Sequence, residues 1–227
     1  MQDKLQDVRE VVTWISLLLP LLPLGVGLWQ FRNEKTWLRL LLLFLAITLL
    51  FDLAGYYVGI ILKEPNARIY NAFPPVEFLL LGLMFFTWHD GKTEKRIIGI
   101  LIPVFLLFWI ITQAISTPHN LDNVILTVES VLLVIIAVGT LFRSMMRDTI
   151  PVQKNPIFWV SSALVVYFAG NLILFALAPT LQQDTIDSKW IWVLHSLLNV
   201  IKNLLFLGGF LACRTRISSS SAGLSSY

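Results

Sequence analysis

The sequence is short of charge and of cysteine, and both shortages limit what the protein can be. Only 14% of the 227 residues are Asp, Glu, Lys or Arg, whereas 56% are hydrophobic and the mean hydropathy is +0.75. So few charged side chains do not cover the surface of a water-soluble protein of this size, and the composition indicates an integral membrane protein. The single cysteine, Cys213, rules out an internal disulfide and a cluster of metal-binding thiolates.

Short catalytic motifs are also absent. The sequence contains no HExxH, GxSxG or CxxC motif, no glycine-rich phosphate loop and no nucleotide-binding signature. A metal site built from His195, Glu77 and Glu129 has no ligand spacing to support it. We therefore expect no catalytic residue, no bound metal and no enzymatic activity.

Long apolar runs dominate what is present. Each has roughly 17–25 residues, the length that crosses a ~30 Å hydrocarbon core. Seven such spans cover residues 11–30, 38–62, 70–88, 97–114, 122–142, 157–179 and 190–213. The sequence therefore predicts an all-α, polytopic membrane protein with one seven-helix transmembrane domain over residues 1–216. The Ser- and Gly-rich segment 217–227 predicts a flexible tail.

Lysine and arginine are distributed unequally between the two sides of these spans. Eleven basic residues fall on the side of the carboxyl terminus, and five fall on the side of the amino terminus. The positive-inside rule therefore predicts an external N-terminus and a cytoplasmic C-terminus. Because these residues occupy short loops between apolar runs, they act as orientation signals, and the net charge of +3 gives no reason to expect a nucleic acid as a partner. The lipid bilayer is the partner that the composition predicts.

Ionisable and amide side chains occur inside the spans, where they are costly and often functional. At 1.5 Å per residue from the predicted outer ends, most lie at a depth of roughly 10–18 Å, with His195 nearer ~8 Å. They therefore share one slab of the outer half, and those in the last span form one stripe at about 100° per residue. The side chains predicted to form a ligand or ion cavity are Lys202, Glu129, Glu77, Asp52, Asn199, His195, Asn171 and Tyr56.

Lys202 is the most unusual of these residues, and three interpretations of it stay open. It lies about 18 Å from either end of its span, whereas a lysine stem reaches only ~6 Å toward water. Snorkelling is therefore the weakest interpretation. A buried ion pair with Glu77, Glu129 or Asp52 is the structural interpretation, and a role in ligand binding is the functional one.

Glu77 and Glu129 differ in how easily their positions are explained. Glu77 follows a Pro-Pro pair that predicts the start of the third transmembrane helix, so it is either a first-turn carboxylate favoured by the helix dipole or a cavity residue. Glu129 lies about two turns into its span, where the dipole offers no such explanation. We therefore expect Glu129 and Lys202 to matter most.

Two further pairs of polar residues lie near the predicted outer ends of the second and third spans. Asp52 precedes Tyr56 by one helical turn, and Tyr70 is followed by Asn71. Either these pairs complete a polar cavity open to the outside, or they hydrogen-bond between helices, which is the commoner outcome in membrane proteins.

Four segments that are distributed between residues 73 and 206 carry a family resemblance. They read FPPVEFLLL (73–81), VESVLLVI (128–135), NPIFWVSSALVVYFAGNLILF (155–175) and HSLLNVIKNLLF (195–206). In these segments the chain resembles a family of bacterial seven-helix inner-membrane proteins that are sometimes encoded beside sensor histidine kinases. The resemblance implies a membrane sensor or signalling accessory, with a histidine kinase or another membrane signalling protein as its partner, and it carries over no catalytic residues.

Lys202 in the seventh span and Glu77 in the third also give the chain an architecture similar to that of microbial rhodopsins. That similarity implies a retinal Schiff base on Lys202, with Glu77 as the nearby carboxylate. Two features depart from the rhodopsin pattern. Leu198 stands where rhodopsins usually carry an acid one turn before the lysine, and the sixth span lacks the expected proline.

These observations favour a receptor-like or sensory membrane protein. In this hypothesis an outer-half polar cavity binds a small ligand or ion, and the protein signals to a partner on the cytoplasmic side. A small transporter coupled to ions or protons is the first alternative, and the lack of an inverted repeat or a broken helix counts against it. A retinal-binding protein that uses Lys202 and a scaffold whose polar groups only hold the helices together are the others.

Overall fold

The protein is a bundle of helices, and seven of its helical stretches are long enough and apolar enough to cross a membrane. The computed structural model describes residues 2–29, 35–115, 122–147, 151–177 and 186–222, and within these ranges it contains no strand. The spans are Glu10–Trp29, Thr36–Ile61, Ala67–Trp88, Lys92–Ile115, Asn123–Met146, Pro156–Phe175 and Trp190–Cys213. The predicted all-helical fold with seven spans is confirmed, with boundaries shifted by a few residues.

Several spans are built from more than one helix. The α-helices of the described residues are α1 (Gln2–Leu18), α2 (Leu21–Trp29), α3 (Thr36–Tyr56), α4 (Ala67–Ala72), α5 (Pro74–Trp88), α6 (Lys92–Ile115), α7 (Asn123–Arg147), α8 (Pro156–Leu177) and α9 (Ile186–Ala222). A π-helical turn over Tyr57–Ile61 continues α3, and a 3₁₀ turn over Val152–Lys154 precedes α8. The backbone of 217–222, predicted as part of a flexible tail, continues α9, and residues 223–227 lie outside the described residues.

Three of the seven spans are interrupted, which corrects the prediction that no helix is broken. The first span breaks between α1 and α2 at Leu19 and Pro20, the second changes to π-helix at Tyr57, and the third breaks at Phe73 between α4 and α5. Pro20 and Pro74 lack the amide hydrogen that a continuous helix requires. Irregular backbone at membrane depth is tolerated where it is buried in protein or lines a cavity.

The break in the first span is repaired by a side chain from the last span. Pro20 stands four residues after Ser16 and donates no hydrogen bond to the Ser16 carbonyl. The Asn199 side-chain amide of α9 donates to that carbonyl at 3.3 Å and to the Ser16 hydroxyl at 2.9 Å. Asn203 Nδ2, one turn further along, donates to the Asn199 carbonyl at 2.8 Å. The polar stripe of α9 therefore holds α1 in place.

Two ends of the bundle are distinguished by their packing. At one end, called here the N-terminal end, α1 begins and residues 62–66 connect the second and third spans. Toward the opposite end the interior is filled by the hydrophobic core, in which Phe44 and Phe206 pack edge to face at 6.2 Å between ring centroids. α7 and α9 flank α8, α5 packs on α3, and α6 lies at the edge against α5 and α7. Close packing of this kind replaces the hydrophobic effect as the main attraction between helices in lipid.

Asparagine and aspartate side chains cap the N-termini of two of the long helices. Asp122 Oδ1 accepts a hydrogen bond from the Ile125 amide at 3.2 Å at the start of α7, and Asn155 Oδ1 accepts one from the Ile157 amide at 3.0 Å at the start of α8. These bonds satisfy amides that have no partner within the helix. Proline at the first position of α5 and α8 fits the same logic. The Pro-Pro pair predicted to start the third transmembrane helix instead starts α5 within that span, which begins at Ala67.

The orientation of the bundle is a prediction of the charge distribution. We expect reporters fused to the two termini to report opposite sides of the membrane, with the N-terminus outside, because the more basic loops stay in the cytoplasm. Paired fusions of alkaline phosphatase, which is active outside, and a fluorescent protein, which is active inside, measure this. An active phosphatase at the C-terminus would contradict it.

The repair of the α1 break gives a second prediction. Asn199→Ala should lower the free energy of unfolding by ~1–3 kcal/mol, because it leaves the buried Ser16 carbonyl without a donor. In a Pro20→Ala background, where a backbone amide at position 20 is available, the same change should cost ~1 kcal/mol less. Denaturant or thermal unfolding in detergent measures both. Equal costs in the two backgrounds would contradict the repair, and Ser16→Ala, which removes only the hydroxyl contact, is the matched control.

Candidate functional site

A cavity of about 480 Å³ lies in the N-terminal half of the bundle. α1, α3, α5, α7, α8 and α9 all contribute to its wall, together with the π-helical turn and α4. Each of the three helix interruptions borders it, through Leu17 at the end of α1, Gly59 in the π-helical turn and Phe73 before α5. The irregular backbone of this chain therefore surrounds one cavity, as expected of membrane-depth irregularities.

Most of the residues predicted to form a polar cavity line this space. The residues of that set in its wall are Glu129, Glu77, Asp52, Asn199, His195, Asn171 and Tyr56. Lys202, the remaining member, is not in the wall but lies buried beside it, with 1% of its surface exposed. The structure brings these residues together, and whether they bind a ligand stays a prediction.

Two carboxylate oxygens in the wall have no hydrogen-bond partner among the described residues. Glu77 in the first turn of α5 is 5% exposed and Glu129 in α7 is 2% exposed, and the Oε1 atom of each is unpaired. Burying an acceptor without a donor costs ~1–3 kcal/mol, and more when the group is charged. Buried acceptors of this kind call for a partner, which can be a water molecule, an ion or a ligand, or for protonation of the carboxyl group.

The surroundings of Lys202 are aromatic. Its Nζ lies 3.9 Å from the ring centroid of Tyr167 and 5.8 Å from that of Phe44, which is the geometry of cation–π contacts. Within the described part of the chain no carboxylate forms a direct ion pair with it, so the predicted ion pair with Glu77, Glu129 or Asp52 is not observed. Lys202 therefore adjoins the cavity through the ring of Tyr167, which lines it.

Hydrogen bonds orient two of the polar residues in the wall. His195 Nδ1 lies 2.8 Å from the Asn171 Oδ1, and because that oxygen only accepts, the Nδ1 carries a hydrogen. Nε2 is left available on the other edge of the ring. The side chain of Asn199 is occupied by Ser16, so it shapes the wall rather than offering free donors.

Two glycines allow the α4 region to approach α3 closely. A side chain on Gly55 would overlap the Tyr70 ring, and one on Gly59 would overlap the Asn66 amide. Asn66 Nδ2 donates to the Gly55 carbonyl at 3.1 Å. These contacts bring Tyr70 and Asn66 into the cavity wall.

The structure separates the predicted pair Tyr70 and Asn71. Tyr70 lines the cavity, whereas Asn71 is absent from its wall. Asn71 instead holds neighbouring helices together, since its Oδ1 accepts from the Asp122 amide at 3.0 Å and its carbonyl accepts from Trp109 Nε1 at 2.9 Å. Asn71 therefore hydrogen-bonds between helices, which is the commoner role of polar residues in membrane proteins.

Sequence reasoning missed Tyr167 and Glu64. Tyr167 lies one turn before Asn171 on α8, so a hydroxyl-bearing ring on the same helix face was an available signal. Glu64 belongs to the connection between the second and third spans and reads as an ordinary polar turn residue. The structure places it, exposed, in the lining of the cavity.

No protein-family model, no curated protein and no solved structure matches this chain. The resemblances drawn from the four sequence segments and from Lys202 with Glu77 therefore stay predictions. Among the residues that the structure describes, no group of three or more His, Cys, Asp or Glu side chains is arranged to hold a metal ion.

A second polar cluster lies at the opposite end of the bundle, where α5, α6 and α7 meet. Thr140 uses its own hydrogen to bond the Ile136 carbonyl at 2.8 Å, so it accepts from His89 Nε2 at 2.9 Å. His89 Nδ1 then accepts from Arg143 at 3.5 Å, and Arg143 also pairs with Glu94. The contacts require a neutral His89, and burial followed by the positive charge of Arg143 lowers its pKa.

This cluster predicts a loss of stability in mild acid. Because the pKa of His89 is lowered in the folded protein from 6.5, folding favours its neutral form. As the pH falls below 6.5 the unfolded chain takes up a proton that the folded chain resists, so stability present above that pH declines at up to ~1.4 kcal/mol per pH unit. Thermal unfolding between pH 7.5 and 5.5 measures the decline. His89→Gln, which keeps an amide donor for Thr140, should flatten the curve in this range, and an unchanged slope would contradict the assignment.

Proposed function

We propose that this protein is a receptor-like membrane protein that binds a small ligand or ion in the cavity and signals to a partner on the cytoplasmic side. The observation that carries the proposal is the unpaired state of the buried carboxylate oxygens of Glu77 and Glu129 in the cavity wall. Such groups are retained at a cost to stability when a ligand supplies the missing partner.

The shape of the interior favours binding over passage. Beyond the carboxylates the bundle is closed by large side chains, since Phe44, Phe206 and Phe210 have 0% exposure. A ligand that enters from the N-terminal end therefore meets a closed floor. A binding site of this kind supports occupancy-dependent signalling more directly than it supports transport.

α9 offers a route from the cavity to the opposite end. It carries the wall residues His195 and Asn199, then the buried Lys202, and it continues past Cys213 to Ala222. Occupancy would change the electrostatic balance between Lys202 and Glu77, and a displacement of α9 would reach the predicted cytoplasmic end. The partner proposed there is a histidine kinase or another membrane signalling protein, in line with the sequence resemblance.

Transport is the second candidate because one observation favours it. The three interrupted spans meet at the cavity, and discontinuous helices around a central site are typical of transporters. Flux into proteoliposomes that is abolished by Glu129→Gln would move transport ahead of sensing. The retinal alternative has less support, since Lys202 does not line the cavity, and it requires a borohydride-stabilised mass increment that Lys202→Met abolishes.

The cavity can be tested without knowing its ligand. In a Cys213→Ser background, Ser196→Cys places a single thiol in the wall. We expect methanethiosulfonate reagents to modify it from the N-terminal side, with the cationic ethyltrimethylammonium reagent at least about tenfold faster than the anionic ethylsulfonate reagent, after correction for their intrinsic reactivities. Mass spectrometry of timed samples gives both rates.

Ala137→Cys in the same background is the matched control. Ala137 has 0% exposure and lies in the hydrophobic core, so its thiol should not react in the folded protein. A Ser196→Cys variant that is as unreactive as this control would contradict an accessible binding cavity and with it the proposed function.

A further inference from the structure

We infer that the ligand is a small organic ammonium ion, bound by its N–H groups to Glu77 and Glu129 and by its apolar part to the aromatic wall. The inference rests on the proposed function and names the ligand class for the same site. It depends on four features of the cavity: unpaired acceptors, an excess of carboxyl groups, aromatic side chains and volume.

The unpaired atoms require a donor. Glu77 Oε1 and Glu129 Oε1 lie on different helices in the wall of one cavity, and neither has a partner among the described residues. An ammonium group presents several N–H donors from one atom, so one ligand nitrogen can serve both carboxylates. Hydrogen bonds between charged partners are about twice as strong as neutral ones, which offsets the loss of water on binding.

Carboxyl groups outnumber cations around the cavity. Asp52, Glu77, Glu129 and Glu64 line it, whereas Lys202 is the cation beside its floor. A bound cation would favour the ionised form of these carboxyl groups, whereas they would oppose the binding of an anion. A bare metal ion is disfavoured, because the described residues hold no cluster of metal-ligating side chains.

The remaining wall suits the apolar part of an organic cation. Tyr167, Phe168, Phe175 and Trp192 all line the cavity. Aromatic faces bind cations and hydrocarbon alike, and cation–π contacts are strongest where water is excluded. A volume of about 480 Å³ is large for a single inorganic ion and falls in the range of about 300–1,000 Å³ typical of small organic ligands.

The effect of removing the Lys202 charge distinguishes a cationic ligand from an anion or a Schiff-base ligand. The Lys202 ammonium lies against the ring of Tyr167, which lines the cavity, so its positive charge opposes an incoming cation. Removing the Lys202 charge should therefore strengthen binding of a cation, whereas neutralising Glu77 or Glu129 should weaken it. A site for an anion or for a Schiff-base ligand on Lys202 predicts the opposite response to Lys202→Met.

The experiment compares three probes of similar shape on the full chain in mild detergent. 2-Phenylethylamine, 2-phenylethanol and phenylacetate carry a cation, a neutral hydroxyl and an anion at pH 7, and calorimetry measures their binding. We expect the amine to bind at least about tenfold more tightly than the alcohol, and phenylacetate not to bind. Glu77→Gln and Glu129→Gln should each weaken the amine about tenfold or more, and Lys202→Met should tighten it about threefold.

Glu10→Gln is the matched control, because it removes an exposed carboxylate from the N-terminal end of the bundle outside the cavity wall. It should leave amine binding unchanged. Thermal unfolding of every variant identifies any that fails to fold, and the ranking of the three probes on the unaltered protein needs no variant at all.

The outcomes separate this inference from the proposed function. Equal binding of all three probes, or an amine that is insensitive to both carboxylates, overturns the ammonium assignment. A Ser196→Cys thiol that reacts with both reagents, in a protein that binds no amine, overturns the assignment while the binding cavity stands. A thiol that reacts with neither reagent overturns both.

Discussion

Polar groups that are removed from water in a membrane must find partners within the protein, and the arrangement of this bundle depends on that constraint. Three spans are interrupted, and each interruption releases backbone groups that a continuous helix would pair. At Pro20 the released Ser16 carbonyl is satisfied by Asn199. Because the donor comes from the last span and the acceptor from the first, this local repair also determines how the two ends of the chain pack.

The same constraint gives the cavity its chemical character. Side chains that repair the backbone, such as Asn199, are saturated, whereas the carboxylates of Glu77 and Glu129 are not. Lys202 does not relieve them, since its ammonium rests on the rings of Tyr167 and Phe44. The unpaired carboxylate oxygens thus lie near a lysine whose ammonium is enclosed by aromatic rings. A small cationic ligand bound to these carboxylates would change the electrostatic forces on α9.

Several polar side chains at the opposite end of the bundle have hydrogen-bond partners within the protein. Both ring nitrogens of His89 have partners, and Asn155 donates to the Ser144 hydroxyl at 2.7 Å. These contacts connect the end of α5 with α6 and α7, and α7 with the start of α8. Within the described residues, the unpaired carboxylate oxygens thus lie at one end of the bundle and the hydrogen-bonded network around His89 lies at the other.

Hydropathy along the chain is enough to predict seven spans and an all-helical fold, because the cost of burying charge and unpaired backbone in lipid leaves no other solution for such segments. Depth counting at 1.5 Å per residue also places Glu129, Asp52 and His195 in one slab. Helical rotation and the approach of neighbouring helices are tertiary properties. They determine that Asn71 lies outside the cavity, that Tyr167 lines it, and that Lys202 contacts aromatic rings instead of a carboxylate. Side-chain pairing depends on the distances between helices, and no single helix encodes those distances.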